Sequence, residues 1–181
     1  MSSGKRDRAS GAGDKTAPSV ESVRGCPEQE DESFMALALA QARLAYDMGE
    51  VPVGAVVVRD GAVIAAACNR RETDRVATAH AELLAIEEAC RVLGGWRLSD
   101  CTLYVTLEPC PMCAGSMINA RVGRVVFGAK DAKAGACGSV LNLNAYPLNH
   151  HPQIVGGVLS RACAELLSDF FVGKRQPPSG A

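Results

Sequence analysis

Between residues 33 and 174 the apolar positions follow two spacings in turn. SFMALALAQARLAYDM (33–48) places Phe34, Leu37, Ala38, Gln41, Ala45 and Met48 at steps of three and four, which predicts an amphipathic helix with that stripe inward. VPVGAVVV (51–58) and AVIAAAC (62–68) are short apolar runs that predict strands. Asp60-Gly61 between them predicts a tight hairpin, because glycine tolerates the positive φ such a turn needs. AHAELLAIEEACRVL (79–93) predicts a helix capped by Thr78 and ended by Gly94-Gly95. TLYVTLE (102–108) and RVVFGA (124–129) read as strands. Between them PMCAGSMINA (111–120) reads as a helix, with Pro111 in the first turn, where a missing N–H costs nothing. Residues 130–152 look mostly irregular, and SRACAELLSDFFVGK (160–174) predicts a closing helix.

This order predicts an α/β fold, a three-layer αβα sandwich. The first two strands form a hairpin, and the later ones, joined through helices, run parallel. The domain is expected to span 31–175. Residues 1–30, rich in Gly, Ser, Pro and mixed charge, are expected to form a disordered N-terminal tail, because they cannot bury enough apolar surface to offset the entropy of ordering. Residues 176–181 are expected to form a disordered C-terminal tail.

Composition changes this picture in two ways. Only 4% of the residues are aromatic, so small aliphatic side chains must fill the core. The net charge of −1 announces no nucleic-acid binder, but residues 1–33 hold five basic and seven acidic groups, so the remainder is net +1 and has room for a local basic patch. The chain starts polar, without the apolar region of a signal peptide, and no apolar run approaches the roughly 18 residues of a membrane span. The eight cysteines are scattered among apolar runs and are not spaced as a small disulfide scaffold. The expectation is a protein of a reducing compartment, the cytoplasm, with no membrane partner.

The candidate chemistry centres on LEPCPMC (107–113). Alone, Cys110 and Cys113 fit a redox dithiol, half of a zinc knuckle or part of a catalytic metal site. A thioredoxin-like pair belongs after the first strand of a βαβ unit, whereas this pair follows the third. An all-thiolate knuckle needs two more closely spaced cysteines, and the others are single. Upstream, TAHAE carries His80 and Glu82, and together with Pro109, Cys110 and Cys113 it matches H-x-E…P-C-x-x-C, the signature of zinc-dependent nucleobase deaminases. Catalytic zinc takes three protein ligands and one open position, which His80, Cys110 and Cys113 supply. Both ligand groups fall at predicted helix starts, where free N–H groups favour thiolate. Glu82, two residues past His80, is placed to reach a bound water and serve as catalytic proton shuttle rather than as a ligand.

ATAHAELLAIEEA, TLYVTLEPCPMCAGSMINARVGRVVFGAKDAKAGACGS and AELLSDFF together resemble the bacterial tRNA-specific adenosine deaminases, over about residues 33–175. HAE and PCxxC are shared with the wider cytidine-deaminase-like superfamily; VPVGAVVV, VVFGAKDAKAGA and LLSDFF are more particular to the tRNA branch. The resemblance implies a cytidine-deaminase-like αβα sandwich with a mixed five-stranded sheet. It also implies one Zn2+ per subunit, a homodimer, and tRNA, through its anticodon stem-loop, as partner. The implied activity is hydrolytic deamination of adenosine to inosine at the wobble position, typically of an arginine tRNA. Hydroxide supplied at the zinc attacks C6 of adenine, and Glu82 carries protons to N1 and to the leaving ammonia. Asn69 matches a base-contacting asparagine. The backbone N–H of Ala81 would orient water or intermediate, Asp131 would lie near the ribose, and His150 would lie in a loop near bound RNA. RNA-binding candidates are Arg70, Arg71, Arg121, Lys130, Lys133, Lys174 and Arg175, with one of Phe170 and Phe171 in the core and the other, Phe171, facing the RNA. Four positions depart from the family's common pattern: Val76-Ala77 stands for Asp-Pro, Pro111 for valine, and Asn119 for histidine.

Two other functions compete. A small-molecule deaminase of guanine, cytosine or a riboflavin precursor would use the same zinc chemistry, so HAE and PCxxC do not separate it from a tRNA enzyme. A catalytically silent partner would have no use for Glu82.

Overall fold

A computed structural model describes residues 27–175 of the 181-residue chain. Helix α1 (Pro27–Asp47) leads into the hairpin β1 (Gly54–Arg59) and β2 (Ala62–Cys68). A short helical turn, α2 (Arg71–Asp74), precedes α3 (Ala81–Leu93), β3 (Cys101–Leu107), α4 (Pro111–Asn119) and β4 (Arg124–Ala129). A 3-10 turn (Leu143–Ala145), β5 (Gln153–Gly156) and α5 (Ser160–Arg175) complete the order. The five strands form one sheet in the order β2-β1-β3-β4-β5. β1 is antiparallel to both β2 and β3, and β3, β4 and β5 run parallel. The sheet is mixed, as expected.

Alternation on the central strands builds the layers. Ala55 and Val57, Leu103 and Val105, and Val125 and Phe127 face one side, where they meet Ala81, Ala85, Ile86 and Ala89 of α3 and Met117 of α4. Val56 and Val58, Tyr104 and Val126 face the other side, against Met35, Ala38 and Leu39 of α1 and Cys163 of α5. Both faces of β1 are covered, so its sequence reads as an unbroken apolar run. The hairpin turns at Asp60 (φ 51°) and Gly61 (φ 75°), the two positive values a tight two-residue turn requires.

The structure corrects four sequence expectations. First, α1 starts at Pro27, so residues 27–30 are helical rather than part of a tail; residues 1–26 and 176–181 lie outside the described residues. Second, the inward stripe of α1 is Asp31, Met35, Ala38, Leu39, Ala42 and Ala45, while Leu37 and Met48 are exposed. The helix turns its smallest residues to the sheet because its backbone passes directly over Gly54, where an added Cβ would lie 2.7 Å from the Cβ of Gln41 and closer still to the backbone of Ala38 and Ala42. Third, α3 is capped at His80 rather than Thr78, whose carbonyl instead accepts the N–H of His80 at 2.7 Å. Fourth, the irregular stretch after β4 contains a 3-10 turn and is followed by β5, a four-residue strand too short to show alternation.

Candidate active site

His80 and Cys110 occupy equivalent places. Each is the N-cap residue of its helix, with extended backbone (φ −81°, ψ 147° and φ −72°, ψ 170°), and neither side chain caps its own helix. The imidazole and thiol are therefore free to face each other, and the first-turn N–H groups of α3 and α4 place positive ends beside them. His80 Nδ1 lies 3.8 Å from Cys110 Sγ and 3.5 Å from Cys113 Sγ. The three donor atoms all fall within 4.8 Å of one another.

This set fits zinc. Zinc bonds of about 2.3 Å to sulfur and about 2.0–2.1 Å to nitrogen, at a tetrahedral angle, place ligand atoms about 3.6 Å apart. The electrostatics agree. Hydrogen bonds from Cys113 and then His80 pull the Cys110 thiol down to about 4 against the opposing effect of burial. Cys113, fully buried and bonded to that sulfur, is pushed up. The hydrogen bond to Cys110 raises His80, although burial works the other way. Glu82, the second residue of α3, is buried, and the loss of solvent raises its carboxyl above the ordinary carboxylate range. Two sulfurs and an imidazole converge with a carboxylate beside them, the kind of donor set a catalytic zinc takes.

A cavity of about 160 Å³ opens beside this group, lined by His80, Glu82 and Cys110 together with Val51, Val53, Asn69, Leu107, Glu108 and Asp131. Every lining segment sits at one end of the sheet: the entry to β1, the exit of β2, the start of α3 and the exits of β3 and β4.

The comparisons decide the family. The MafB19-like deaminase family matches residues 29–172. The chain is 50% identical over 153 residues to the tRNA-specific adenosine deaminase of Bacillus subtilis, covering 84% of this chain and 95% of that protein. The chain belongs to the tRNA-specific adenosine deaminase family. Among solved structures, one from a study of A-to-I editing by tRNA:A34 deaminases at the wobble position superposes with a TM-score of 0.72 at 45% identity, over 74% of this chain and 98% of that one. A guanine deaminase from Nitrosomonas europaea superposes with a TM-score of 0.64 at 26% identity, over 78% of this chain and 84% of that one.

The remaining candidate residues of this deaminase fall into two groups. Asn69, Arg71 and Asp131 line the cavity. Asn69 is buried, and Ala81, fully buried, opens α3 beside the ligands. Asp131 also shapes its own loop, its Oδ1 accepting the N–H of Lys133 at 2.8 Å and of Ala134 at 3.1 Å. Lys130 and Lys133 are exposed on the same loop.

The second group lies away from the cavity lining. Arg70 makes a two-pronged bond to Asp74, at 2.9 and 2.8 Å. His150 Nε2 sits 2.7 Å from the carbonyl of Val122, and Arg121, in the left-handed region (φ 59°), donates to the backbone and side chain of Asn149. Both therefore pin the 149–150 segment. On α5, Phe170 is buried edge-on to Tyr46, with the Lys174 ammonium 5.1 Å from its ring centre. Phe171 is the exposed member of the pair, as expected. Arg175 ends α5, and its side chain lies outside the described residues.

Sequence reasoning missed two buried carboxylates. Glu50 accepts the Asn69 amide at 3.2 Å and the N–H of Thr73 at 2.6 Å. Glu108 accepts the N–H groups of Asp131, Cys137 and Ser139 and the hydroxyl of Ser139. Burial works against its charge, but these bonds outweigh it and hold the carboxyl below the usual range. A glutamate standing inside an apolar strand signal, in GEVPVG or TLEPC, was the available clue.

Proposed function

We propose that this chain hydrolyses adenosine to inosine at the wobble position of a tRNA anticodon, with an arginine tRNA as the expected substrate. The observation that carries the reading is the convergence of His80, Cys110 and Cys113 beside buried Glu82, in a chain half identical to a tRNA-specific adenosine deaminase. His80, Cys110 and Cys113 would hold one Zn2+ per subunit, and zinc in such a site lowers the pKa of water so that a nucleophile is available at neutral pH.

The chain's own residues do the rest. The target base leaves the anticodon stack and enters the cavity, where Asn69 meets its edge. Glu82 accepts the proton of the attacking water and delivers it to N1 of adenine as oxygen adds at C6. It then helps protonate N6 as the C6–N6 bond breaks, and ammonia leaves. The N–H groups of the first turn of α3, including that of Ala81, orient oxygen at the reacting carbon. Arg71 at the cavity, with Lys130 and Lys133 exposed on the loop that carries Asp131, would supply charge suited to phosphates, and exposed Phe171 and Lys174 on α5 would add further RNA contacts.

The same reading makes the protein a cytoplasmic homodimer. Exposed Val140, Tyr146 and Leu148 supply apolar surface of the kind a second copy covers. No helix among the described residues is long and apolar enough to cross a membrane.

The test is deamination of an anticodon stem-loop RNA against free bases and nucleosides, with inosine measured after nuclease digestion. Inosine formed in the stem-loop is the expected result. Turnover of guanine, cytosine or a riboflavin precursor alone would replace this reading with a small-molecule deaminase.

A further inference from the structure

Besides the wall formed by the entry to β1 and the exit of β2, the cavity has two walls of different construction. One consists of the end of β3 and the starts of α3 and α4, which carry the metal ligands and Glu82. The other is the loop 130–141, which contains no strand or helix beyond a single bridge between Cys137 and Asn142. Glu108 holds that loop. Its Oε2 accepts the N–H of Asp131 at 3.1 Å and the hydroxyl of Ser139, and its Oε1 accepts the N–H of Cys137 at 3.1 Å and of Ser139 at 3.0 Å. The next residue adds one more tie, the carbonyl of Pro109 accepting the N–H of Ala136 at 2.8 Å. Gly135 passes so near that an added Cβ would lie 2.5 Å from the Glu108 carboxylate, so the loop folds around this side chain.

We propose that Glu108 is a positioning residue for the deamination put forward above, on which this inference rests. It fixes the wall that carries Asp131 relative to Cys110, two residues along the same strand exit. It acts through the loop and not on the reacting atoms. Its removal leaves the ligands and Glu82 on their rigid elements and loosens only the substrate wall, so the loss falls on substrate engagement.

The variants Glu108→Gln and Ser139→Ala test this in the full-length, zinc-loaded protein. Glutamine keeps the size but turns a donor either toward the N–H groups of Cys137 and Ser139 or toward the Asp131 N–H and the Ser139 hydroxyl. Three quantities are read: zinc content, amide hydrogen exchange across 130–141, and steady-state kinetics on the anticodon stem-loop. For Glu108→Gln, exchange in the loop is expected to rise by about tenfold or more, in line with losing hydrogen bonds to a charged group. Zinc stays at one per chain, KM rises by about tenfold and kcat stays within about threefold; Ser139→Ala shifts exchange and KM the same way by less. Unchanged exchange overturns the proposal, as does faster exchange with unchanged KM, or loss of zinc in step with loss of activity. If Glu108→Gln does not fold, Ser139→Ala decides on the same criteria. If the parent protein does not act on stem-loop RNA, the proposed function fails separately. Exchange and zinc content then still decide whether Glu108 holds the loop independently of the metal site.

Discussion

Glu50 fixes which way the amide of Asn69 points. The fully buried carboxylate takes Asn69 Nδ2 at 3.2 Å, leaving the Asn69 carbonyl and its second N–H for the cavity. The other carboxylate oxygen takes the N–H of Thr73 at 2.6 Å, so neither oxygen can turn away. In a Glu50→Gln variant one oxygen becomes a donor; keeping the Thr73 N–H bond, as a fixed backbone donor favours, makes the Asn69 amide rotate or lose its partner. We expect kcat/KM on stem-loop RNA to fall by about tenfold to a hundredfold, the effect of a mispaired buried group. A value within about twofold of the parent would show that the amide orientation does not matter to the base.

Glu82 carries the proton traffic in the proposed mechanism, and it is not one of the three proposed metal ligands. A Glu82→Gln variant should therefore retain zinc, measured by elemental analysis, and lose about 10² to 10⁴-fold in kcat, the usual contribution of a general acid–base group. Retained turnover would remove Glu82 from the reaction. Loss of zinc together with turnover would make it part of the metal site.

The legible and illegible parts of this molecule divide by the range of the interactions involved. The hairpin at Asp60-Gly61 and the start of α4 at Pro111 follow from local backbone preferences, which a single sequence carries, whereas the start of α3 falls two residues later than its Thr78 signal suggests. The metal triad was readable because two short spacings, H-x-E and C-x-x-C, each reflect one helix start. Glu50 and Glu108 stand out in the sequence only as glutamates within apolar runs, and what they hold is not readable there. Most of their partners are backbone N–H groups 23 to 31 residues away, and a backbone N–H leaves no trace in residue identity. The stripe of α1 differs from its periodicity for a related reason. Leu37 and Met48 are more hydrophobic than Ala42, but only small residues fit where the helix crosses Gly54, and that crossing is a tertiary fact. His150 and Arg121 were singled out by resemblance, and the structure shows both bonded to the segments around them.

Asp31 ties α1 to the sheet and gives the fold a predictable acid response. Arg124 grips both of its oxygens, at 2.7 and 2.6 Å, and the Tyr104 hydroxyl donates at 2.9 Å. The Arg124 bond, reinforced by Tyr104 against the effect of burial, holds the Asp31 carboxyl below its ordinary value. A carboxyl with a depressed folded pKa contributes its full stability above the unfolded value, about 3.9, and loses it as pH falls through the folded value. Asp31→Asn should cost about 2 kcal/mol at pH 7, below the range for a fully buried pair because Arg124 keeps some solvent contact. Urea titrations at pH 7, 5 and 3 should show the gap between parent and variant holding down to about pH 5 and narrowing below it. A gap that persists undiminished at pH 3 would rule out the ion pair as its cause.

Gly54 tests whether the contact between α1 and β1 is as close as its geometry implies. Its φ is not in the left-handed region, so glycine is needed there for space alone. An alanine Cβ would press on the backbone of Ala38 and Ala42, which cannot swing aside as a flexible side chain would. The helix would have to lift from the strand whose N-terminal end enters the cavity beside Val53. Gly54→Ala is expected to lower stability by about 3 kcal/mol or more, the upper range for overpacking, and to reduce soluble yield. Gly173→Ala on α5 is the control: nothing lies within 4 Å of the added methyl, and the change should be neutral or stabilising by a few tenths of a kcal/mol, up to about 1. Equal urea midpoints for the two variants would mean that α1 rides higher on the sheet than described, and that the smallness of Ala38 and Ala42 has another cause.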